Sequence, residues 1–384
     1  MARSNRPLRG TRTAIVLKII LIAPDSENPY IRLLVQALRQ RGLAVHTEAP
    51  YRLRTFFVLL LAVYRFGRPD VIHLQWQHPV FVASTFPSAF IKTCAFFSQW
   101  AILRLFGIRF VWTVHNVVNH HGRFVRWELM IARLWARMVD GIIVHCDTAR
   151  TIVADAYRIA PTKITVVPHG TFSAHYATTP RSRIELRAEL DLPAGSRVFL
   201  FFGLIRAYKG VEKLIAAFQR MASPESELVI VGRPEPLQLA SDLLQQSNDD
   251  AHIRFVFEYI PDDRLPLYIC AADVVVLPYA DVLTSGAVNL AGALSRPVIV
   301  PQRGCFRDLP EDGCIKYDPA CDEGLDTALN AALAAPLIEM GRILHEFVEQ
   351  QSWDDVAAQT AAVYAHVTSG SGDIQESSSN HASH

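Results

Sequence analysis

Residues 201–210 are Phe201-Phe202-Gly203-Leu204-Ile205-Arg206-Ala207-Tyr208-Lys209-Gly210, and the prediction of the fold starts from them. The apolar run 198–202 predicts a buried strand, and apolar residues at helical spacing follow over 211–218. A strand, a glycine-containing turn and a helix present backbone N–H groups and a helix dipole to an anion. Arg206 and Lys209 lie in the turn and can add full positive charge. The stretch predicts a diphosphate clamp, the alternative being an ordinary strand-to-helix loop with two solvated bases.

The composition is typical of a two-domain globular protein. The 384 residues are ample for two domains, half are hydrophobic, and the net charge of +1 argues against a nucleic-acid partner. The cysteines are scattered without a CxxC pair, so we expect reduced, mostly buried thiols in a cytosolic protein, and neither a disulfide frame nor a zinc site. They are Cys94, Cys146, Cys270, Cys305, Cys314 and Cys321.

Strand-like and helix-like segments alternate along nearly the whole chain. Residues 15–23, 70–76 and 109–114, for example, are apolar runs that each precede a segment with helical spacing. Such alternation predicts an α/β fold with parallel sheets wound on both faces. A connector at 168–187 interrupts the pattern, which restarts at residue 198. Two such halves imply a cleft, with ligands at the carboxyl ends of the strands.

Two apolar stretches in the first half raise the question of a membrane. Residues 56–64 are far shorter than the roughly 20 needed to span a bilayer. Residues 80–112 are rich in Phe, Ile and Trp, but proline and charged residues interrupt them. We predict no transmembrane helix and no signal-type segment after the basic N-terminus. The stretches are either core helices or an apolar, basic surface for a membrane interface.

Several motifs follow one another in the order that one enzyme family shows. They are PDVIHLQW (69–76), VWTVHNVVNHHGR (111–123), KITVVPHGTF (163–172), FFGLIRAYKGVEKLIAAF (201–218), ELVIVGRP (227–234), the long segment 253–301 and SWDDVAAQTAAVY (352–364). Together they resemble the GT-B fold, nucleotide-sugar-dependent glycosyltransferases, especially family four and its bacterial exopolysaccharide and mannosyltransferase-like members. The resemblance implies two Rossmann-like domains, 14–178 for the acceptor and 183–352 for the nucleotide-sugar donor. It also implies a helix at 354–368 that crosses back to the first domain, and composition predicts a disordered tail at 369–384.

The resemblance assigns a set of residues to the donor. Arg206 and Lys209 would hold the two phosphates and stabilise the leaving nucleotide diphosphate without a metal, which fits the lack of a placed Asp-x-Asp pair. Gly203 would let the backbone approach the ligand. The remaining donor contacts implied are Glu258 near the base, Thr284, Ser285 and Gly286 at a helix N-terminus, and His169 in the linker.

Other residues are implied on the acceptor side. His115 would bond the transferred sugar or carry a proton, unless it is a structural histidine. His73, Trp76 and Asn116 would lie near the acceptor. The histidines give no metal site. Family-four members carry two glutamates that contact the donor, whereas this sequence has Val282 and Leu290 there. Asp281 and Asn289 are the nearest possible replacements.

The predicted function is transfer of a hexose from a GDP- or UDP-linked sugar to a lipid-linked or polysaccharide acceptor. Mannose from GDP-mannose is favoured by the resemblance, and no cofactor beyond the nucleotide sugar is expected. The missing glutamates keep open a catalytically impaired GT-B partner subunit, and a sugar-nucleotide epimerase is a further alternative. We expect a cytoplasmic protein, with peripheral contact at the inner membrane face left open.

Overall fold

The computed structural model describes residues 16–49, 56–76, 81, 83–119, 124–176, 181–221 and 223–369. Within them, two lobes each contain a six-stranded parallel sheet covered by helices on both faces. Most of the predicted tail, residues 370–384, lies outside the described residues. None of the described helices is both long enough and apolar enough to cross a bilayer.

The first lobe contains the sheet order β2-β1-β3-β4-β5-β6. Its strands are β1 (Lys18–Ile22), β2 (Ala44–Glu48), β3 (Val71–Leu74), β4 (Arg109–Thr113), β5 (Gly141–Val144) and β6 (Ile164–Val166). Its helices are α1 (Pro29–Gln40), α2 (Val58–Phe66), α3 (Phe86–Leu105), α4 (Val125–Met138) and α5 (Asp147–Tyr157). The order reverses between β1 and β3, so the loops that follow these two strands border a crevice.

The second lobe contains the sheet order β12-β11-β10-β7-β8-β9. Its strands are β7 (Arg197–Phe202), β8 (Ser226–Val231), β9 (Ile253–Val256), β10 (Val274–Val276), β11 (Val298–Pro301) and β12 (Cys314–Tyr317). The helices are α6 (Arg183–Glu189), α7 (Val211–Met221), α8 (Leu239–Ser247), α9 (Leu265–Ala271), α10 (Gly286–Ala293), α11 (Gly324–Ala334), α12 (Leu337–Glu349) and α13 (Trp353–Ser369). Here the order reverses between β7 and β10, and the loop after β7 is the stretch that opened the sequence analysis.

Four elements differ from the sequence expectation. The connector ends earlier than predicted, because Ser182 and Glu185 form a capping box that starts α6. Strand β12 and helix α11 were not predicted. Pro87 occupies the first turn of α3 and does not break it, since proline is tolerated where the N–H has no helical partner.

The last helix returns to the first lobe. Arg41 of α1 pairs with Asp354 of α13 at 2.8 Å. The first residue of α13 also fixes the linker, because the Trp353 indole donates to the carbonyl of Thr171 at 2.6 Å. Gly170 has φ +90, and a Cβ atom there would lie 2.7 Å from the Trp353 ring. The linker therefore passes between the lobes in a conformation that glycine favours.

A disulfide joins the two lobes, and this corrects the expectation of six reduced thiols. Cys146 caps α5 in the first lobe and Cys305 follows β11 in the second, with their Cα atoms 5.9 Å apart. They are 159 positions apart in sequence and meet only because the lobes face each other. The free cysteines were also expected to be mostly buried, yet Cys94 and Cys321 are exposed, Cys270 is half-buried and only Cys314 is buried.

Candidate active site

The predicted site residues gather at the carboxyl edges of the two sheets. Trp76, His115 and His169 follow β3, β4 and β6 of the first lobe, whereas the Gly203–Lys209 turn follows β7 of the second. The lobes touch here, because a Cβ atom on Gly286 would lie 3.5 Å from the His169 ring. The site is therefore built from both lobes, as expected for a cleft between open parallel sheets.

The turn after β7 forms a tight corner around the Lys209 ammonium, which we name the phosphate corner (Gly203, Arg206, Lys209 and Tyr279). Gly203 has φ +103, and an added Cβ would lie 3.4 Å from Lys209 Nζ. The ammonium lies 5.3 Å from the Tyr279 ring centroid. Burial and then the Arg206 charge lower the pKa of Lys209 to about 8. A poorly solvated cation over bare backbone is a suitable contact for a phosphate oxygen.

Arg206 lies beside this corner and holds an internal anion. Its Nε and Nη2 atoms donate to Glu235 Oε2 at 2.8 and 2.5 Å. The Arg206 side chain is 29% exposed, so water and a ligand can both reach it. A diphosphate would compete with this half-exposed carboxylate for the guanidinium. The Lys209 ammonium is buried and the Arg206 side chain is partly exposed, and the clamp remains a prediction.

The N-terminus of α10 faces a small cavity between the lobes. Ser285 caps this helix without a side-chain capping bond, and it hydrogen-bonds the Tyr279 hydroxyl of the phosphate corner. The cavity has a volume of about 60 Å³, and we call it the inner pocket. Its polar lining comes from both lobes: His145, His169, Thr284, Ser285 and Asn289. The predicted donor contacts Thr284, Ser285, Gly286 and His169 are thus brought together.

His145 is a site residue that the sequence analysis missed. It follows β5, is 8% exposed, and donates Nδ1–H to the carbonyl of Val167 at 2.9 Å. Because a carbonyl can only accept, Nε2 carries the lone pair, and it is buried with no hydrogen-bond partner among the described residues. Burial lowers the pKa of His145 to about 4, so the ring is neutral. The sequence signal that could have revealed His145 was its position, because it follows β5 as His115 follows β4.

His115 is held by the first lobe. Its ring stacks on Trp76 at 4.1 Å between centroids, and Nε2 donates to Gln75 Oε1 at 3.0 Å. The ring lies 5.0 Å from that of His145, and Tyr30 contacts both histidines edge-on. His169 packs on the same tyrosine, and burial, then the His145 charge, lower its pKa to about 3. His145 and His169 thus contribute neutral imidazoles to the cleft.

His73 does not belong to the site, which corrects the prediction that it contacts the acceptor. It is fully buried. Its Nδ1 lies 2.7 Å from the Tyr364 hydroxyl and its Nε2 lies 2.8 Å from the Thr113 hydroxyl. Burial, then the His145 charge, lower its pKa to about 3. Side chains alternate between the two faces of the sheet along β3, and His73 lies on the face that packs against α13.

Asn116 and Asp281 meet across a second cavity, which we call the outer pocket. It has a volume of about 330 Å³. The first lobe contributes Asn116, Val117 and Ile152, and the second lobe contributes Asp281, Val282, Leu283, Arg303, Gly304 and Arg307. Val282 and Leu290 are buried and apolar, so the two carboxylates of the family are absent, whereas Asp281 is exposed at the pocket. Glu258 lies apart and exposed beyond the end of β9. Among the described residues, no group of three or more His, Cys, Asp or Glu could hold a metal ion.

Two parallel-sheet lobes that share a cleft, with a phosphate corner on one side, define the GT-B class of glycosyltransferases. The sequence model described as Glycosyltransferase Family 4 matches residues 17–171, and the one described as Glycosyl transferases group 1 matches residues 196–335. The two matches cover the two lobes in turn. The chain belongs to the family-four-like glycosyltransferases.

The chain is similar in sequence to curated glycosyltransferases and similar in fold to solved structures. A GDP-mannose:glycolipid 4-beta-D-mannosyltransferase of Xanthomonas campestris is 30% identical over 61% of this chain and 62% of its own length. An alpha-maltose-1-phosphate synthase of Mycolicibacterium smegmatis is 27% identical over 69% of this chain and 74% of its own. In fold, the chain is similar to Thermosynechococcus elongatus sucrose-phosphate synthase, with TM-score 0.74, 20% identity and coverage of 92% and 100%. Anabaena HepE, solved in complex with UDP and glucose, has TM-score 0.70, 17% identity and coverage of 91% and 100%.

Proposed function

We propose that the protein transfers a hexose from a nucleotide diphosphate sugar to a hydroxyl of a lipid-linked or polysaccharide acceptor. The observation that supports this most directly is the phosphate corner, where Lys209 lies over Gly203 beside Arg206. As the bond from the anomeric carbon to the diphosphate breaks, negative charge grows on the leaving oxygen. Fixed cations beside that oxygen stabilise the transition state more than the bound donor, so the reaction needs neither a metal nor a bound cofactor.

The proton of the attacking hydroxyl needs an acceptor. His115 was proposed from sequence for this step, yet its Nε2 already donates to Gln75. His145 offers a bare Nε2 lone pair at the inner pocket, next to the N-terminus of α10. We therefore extend the proposal so that the acceptor oxygen attacks the anomeric carbon while its proton passes to His145. The bound diphosphate would favour the imidazolium, because a nearby anion raises a histidine pKa.

GDP-mannose is the donor and a glycolipid is the acceptor in the finer form of this proposal. The support is the Xanthomonas relative, whose name carries both, and the mannosyltransferase-like segment around Thr284-Ser285-Gly286. The match spans 62% of that relative, and Anabaena HepE was solved with UDP and with UDP-glucose. A UDP-linked donor is therefore the outcome that would replace GDP-mannose in this proposal.

An apolar and basic face on the first lobe supports peripheral contact with a membrane. Helices α2, α3 and α4 expose a series of large hydrophobic residues, and their only acidic residue, Glu128, is buried. The exposed residues on or next to these helices are Phe57, Leu61, Tyr64, Phe86, Phe90, Ile91, Ile102, Leu105, Phe106, Val125, Met130 and Leu134. Ring contacts of Trp127 with Phe86 and Phe90 join α3 to α4. Apolar area with arginine and no exposed acid suits an anionic membrane surface.

A partner subunit that binds nucleotide without transfer is the second candidate. The observation in its favour is that Val282 and Leu290 stand where the family has donor-contacting glutamates. Such a protein would bind the nucleotide at the phosphate corner yet form no product. An epimerase would convert the nucleotide sugar without any acceptor.

Calorimetric titration of the full chain with GDP-mannose, UDP-glucose and ADP-glucose tests the proposal. We expect micromolar to millimolar binding of one donor, weakened at least tenfold by Arg206→Ala, with Lys213→Ala as the control on the outer face of α7. Product formation with a bacterial membrane lipid extract then separates transferase from partner subunit. Absence of binding to all three donors would refute the nucleotide-sugar site.

A further inference from the structure

We infer that the outer pocket binds an anionic group, a carboxylate or a phosphate, on the sugar end of the acceptor. The identification of the ligand as the acceptor rests on the proposed function. The site itself rests on the pocket's position, its two arginines and the cross-links that hold its walls.

The charges lining the outer pocket do not cancel. Arg303 donates through Nη1 to the carbonyl of Ala280, and Arg307 donates through Nε to the carbonyl of Gln302 at 2.9 Å. Neither guanidinium has a carboxylate within ion-pair distance among the described residues. Among the described residues of the lining, two arginines face one acid, Asp281. Backbone carbonyls orient both guanidiniums and leave further N–H groups for an anion.

The wall that carries the arginines is fixed to the rest of the second lobe. Cys305 N–H donates to the carbonyl of Leu283 at 3.0 Å. Gly304 has φ +49, and a Cβ atom there would lie 2.1 Å from the carbonyl oxygen of Val282. The 281–283 loop and the 303–308 segment are therefore in direct backbone contact. A pre-formed pair of guanidiniums loses little freedom when an anion binds.

The same wall is also fixed to the first lobe. Cys305 is bonded to Cys146, and Asp308 accepts from the backbone N–H of Thr148 at 3.0 Å and from its hydroxyl. These contacts hold Arg303 and Arg307 opposite Asn116 and Ile152, the first-lobe side of the pocket. A ligand in this pocket thus touches both lobes.

The phosphate corner already provides positive charge for the donor. We therefore assign the outer pocket to the acceptor. Lys209, Arg206 and the N-terminus of α10 provide for a diphosphate at the inner side of the cleft. The outer pocket, about 330 Å³ in volume, brings two arginines that are not part of the phosphate corner and are not needed for those phosphates. Guanidinium hydrogen bonds to carboxylate or phosphate oxygens are strong and geometrically selective.

The test compares three synthetic acceptors that share one alkyl chain and one sugar frame. They are octyl β-D-glucuronide, octyl β-D-glucoside 6-phosphate and neutral octyl β-D-glucoside. We expect the full chain to use one or both anionic acceptors with a KM about 10- to 100-fold below that of the neutral one, from the usual strength of charge-assisted hydrogen bonds. Preference for the glucuronide alone would identify a carboxylate, and preference for the phosphate alone would identify a phosphate.

The variant Arg303→Gln with Arg307→Gln should raise the KM of the preferred acceptor by about 10- to 100-fold. Its kcat should stay within about threefold and its donor affinity should be unchanged, because the variant leaves the donor site intact. Arg342→Gln, an exposed arginine on α12, is the matched control. A neutral acceptor used as well as the anionic ones, or an unchanged KM in the double variant, would overturn the inference.

Binding without turnover separates this inference from the proposed function. Saturation-transfer NMR with glucuronate, glucose 6-phosphate and glucose needs no transfer reaction. We expect signal for an anion that salt and the double variant abolish, and none for glucose. Anion binding with no transfer to any acceptor would refute the proposed function but keep the site, whereas no anion binding would refute the site.

Discussion

The two lobes present opposite kinds of chemistry to the same cleft. The second lobe provides fixed cations and a helix N-terminus: Lys209, Arg206 and the start of α10. The first lobe provides buried neutral rings, among them His145 and His169, whose pKa values burial lowers to about 4 and about 3. A charged wall suits a departing diphosphate, and a neutral imidazole wall suits a hydroxyl that must give up a proton.

The outer faces of the lobes differ as well. Exposed large hydrophobic residues are concentrated on α2, α3 and α4 of the first lobe, whereas the second lobe has scattered ones such as Leu237 and Ile338. Scattered apolar residues are ordinary on a surface, but a continuous face marks an interaction site. Under the proposed function, the first lobe would be the one that approaches the membrane and the second the one that holds the donor.

Removing the ammonium of the phosphate corner should have the largest effect. Lys209→Ala should lower the transfer rate about 10²- to 10³-fold, because a charge aimed at the leaving group is lost. Lys213→Ala should leave it unchanged, since Lys213 is exposed on α7. Steady-state kinetics with saturating acceptor measure this, and a Lys209→Ala rate within threefold of the parent would contradict the charged-wall assignment.

His145 tests the neutral wall. Asn at position 145 keeps a donor for the Val167 carbonyl but removes the atom equivalent to Nε2, so His145→Asn separates packing from proton transfer. We expect kcat to fall about 10²-fold, with donor affinity and melting temperature little changed. His366→Asn, exposed on α13, is the control. Full activity in His145→Asn would make this ring structural.

The membrane-facing comparison is tested with vesicles. Phe90→Glu with Leu105→Glu should reduce binding to vesicles of phosphatidylglycerol and phosphatidylcholine about tenfold, because two apolar contacts become charges repelled by the surface. Leu237→Glu with Ile338→Glu makes the same change on the second lobe and should have no effect. Co-sedimentation measures both, and equal losses would mean that the lobes do not differ in this way.

The pH dependence of donor binding should be the smallest effect. In the free protein Lys209 has a pKa near 8, so raising the pH from 7 to 9 removes its proton and its charge. Nucleotide diphosphate affinity should fall about fivefold over that range, given tenfold per pH unit at most for one titrating group. Lys209→Arg keeps its charge and should flatten the calorimetric profile, and a wild-type profile that is already flat would place the pKa of Lys209 elsewhere.

Much of the fold follows from local patterns in the sequence. The run 198–218 predicted a strand, a basic turn and a helix, and β7, the turn and α7 occupy those positions because apolar spacing and glycine placement act locally. Helix α6 was missed although its capping box is a local signal. Strand β12 at Cys314–Tyr317 is only partly buried, so its apolar pattern is weak.

The site was less predictable, because it depends on which residues face one another. The spacing of the cysteines along the sequence does not indicate that Cys146 pairs with Cys305. His73 lies on a site strand but its side chain points into the packing, which alternation along a strand decides. His145 was accessible to the rule that singled out His115, since each follows a strand of the same sheet, but only His115 lies in a familiar motif.

The disulfide between the lobes limits how the enzyme can move. Two lobes joined only by their linker could open widely by a hinge motion. The disulfide between Cys146 and Cys305 holds the lobes together at that point, so the main motion left is a rotation about the bond. If the proposed function holds, a long acceptor would then have to enter along the groove between the lobes. Reduction of this disulfide with a dithiol would allow the lobes to open and close. The rate of product release would then change, and that rate can be measured.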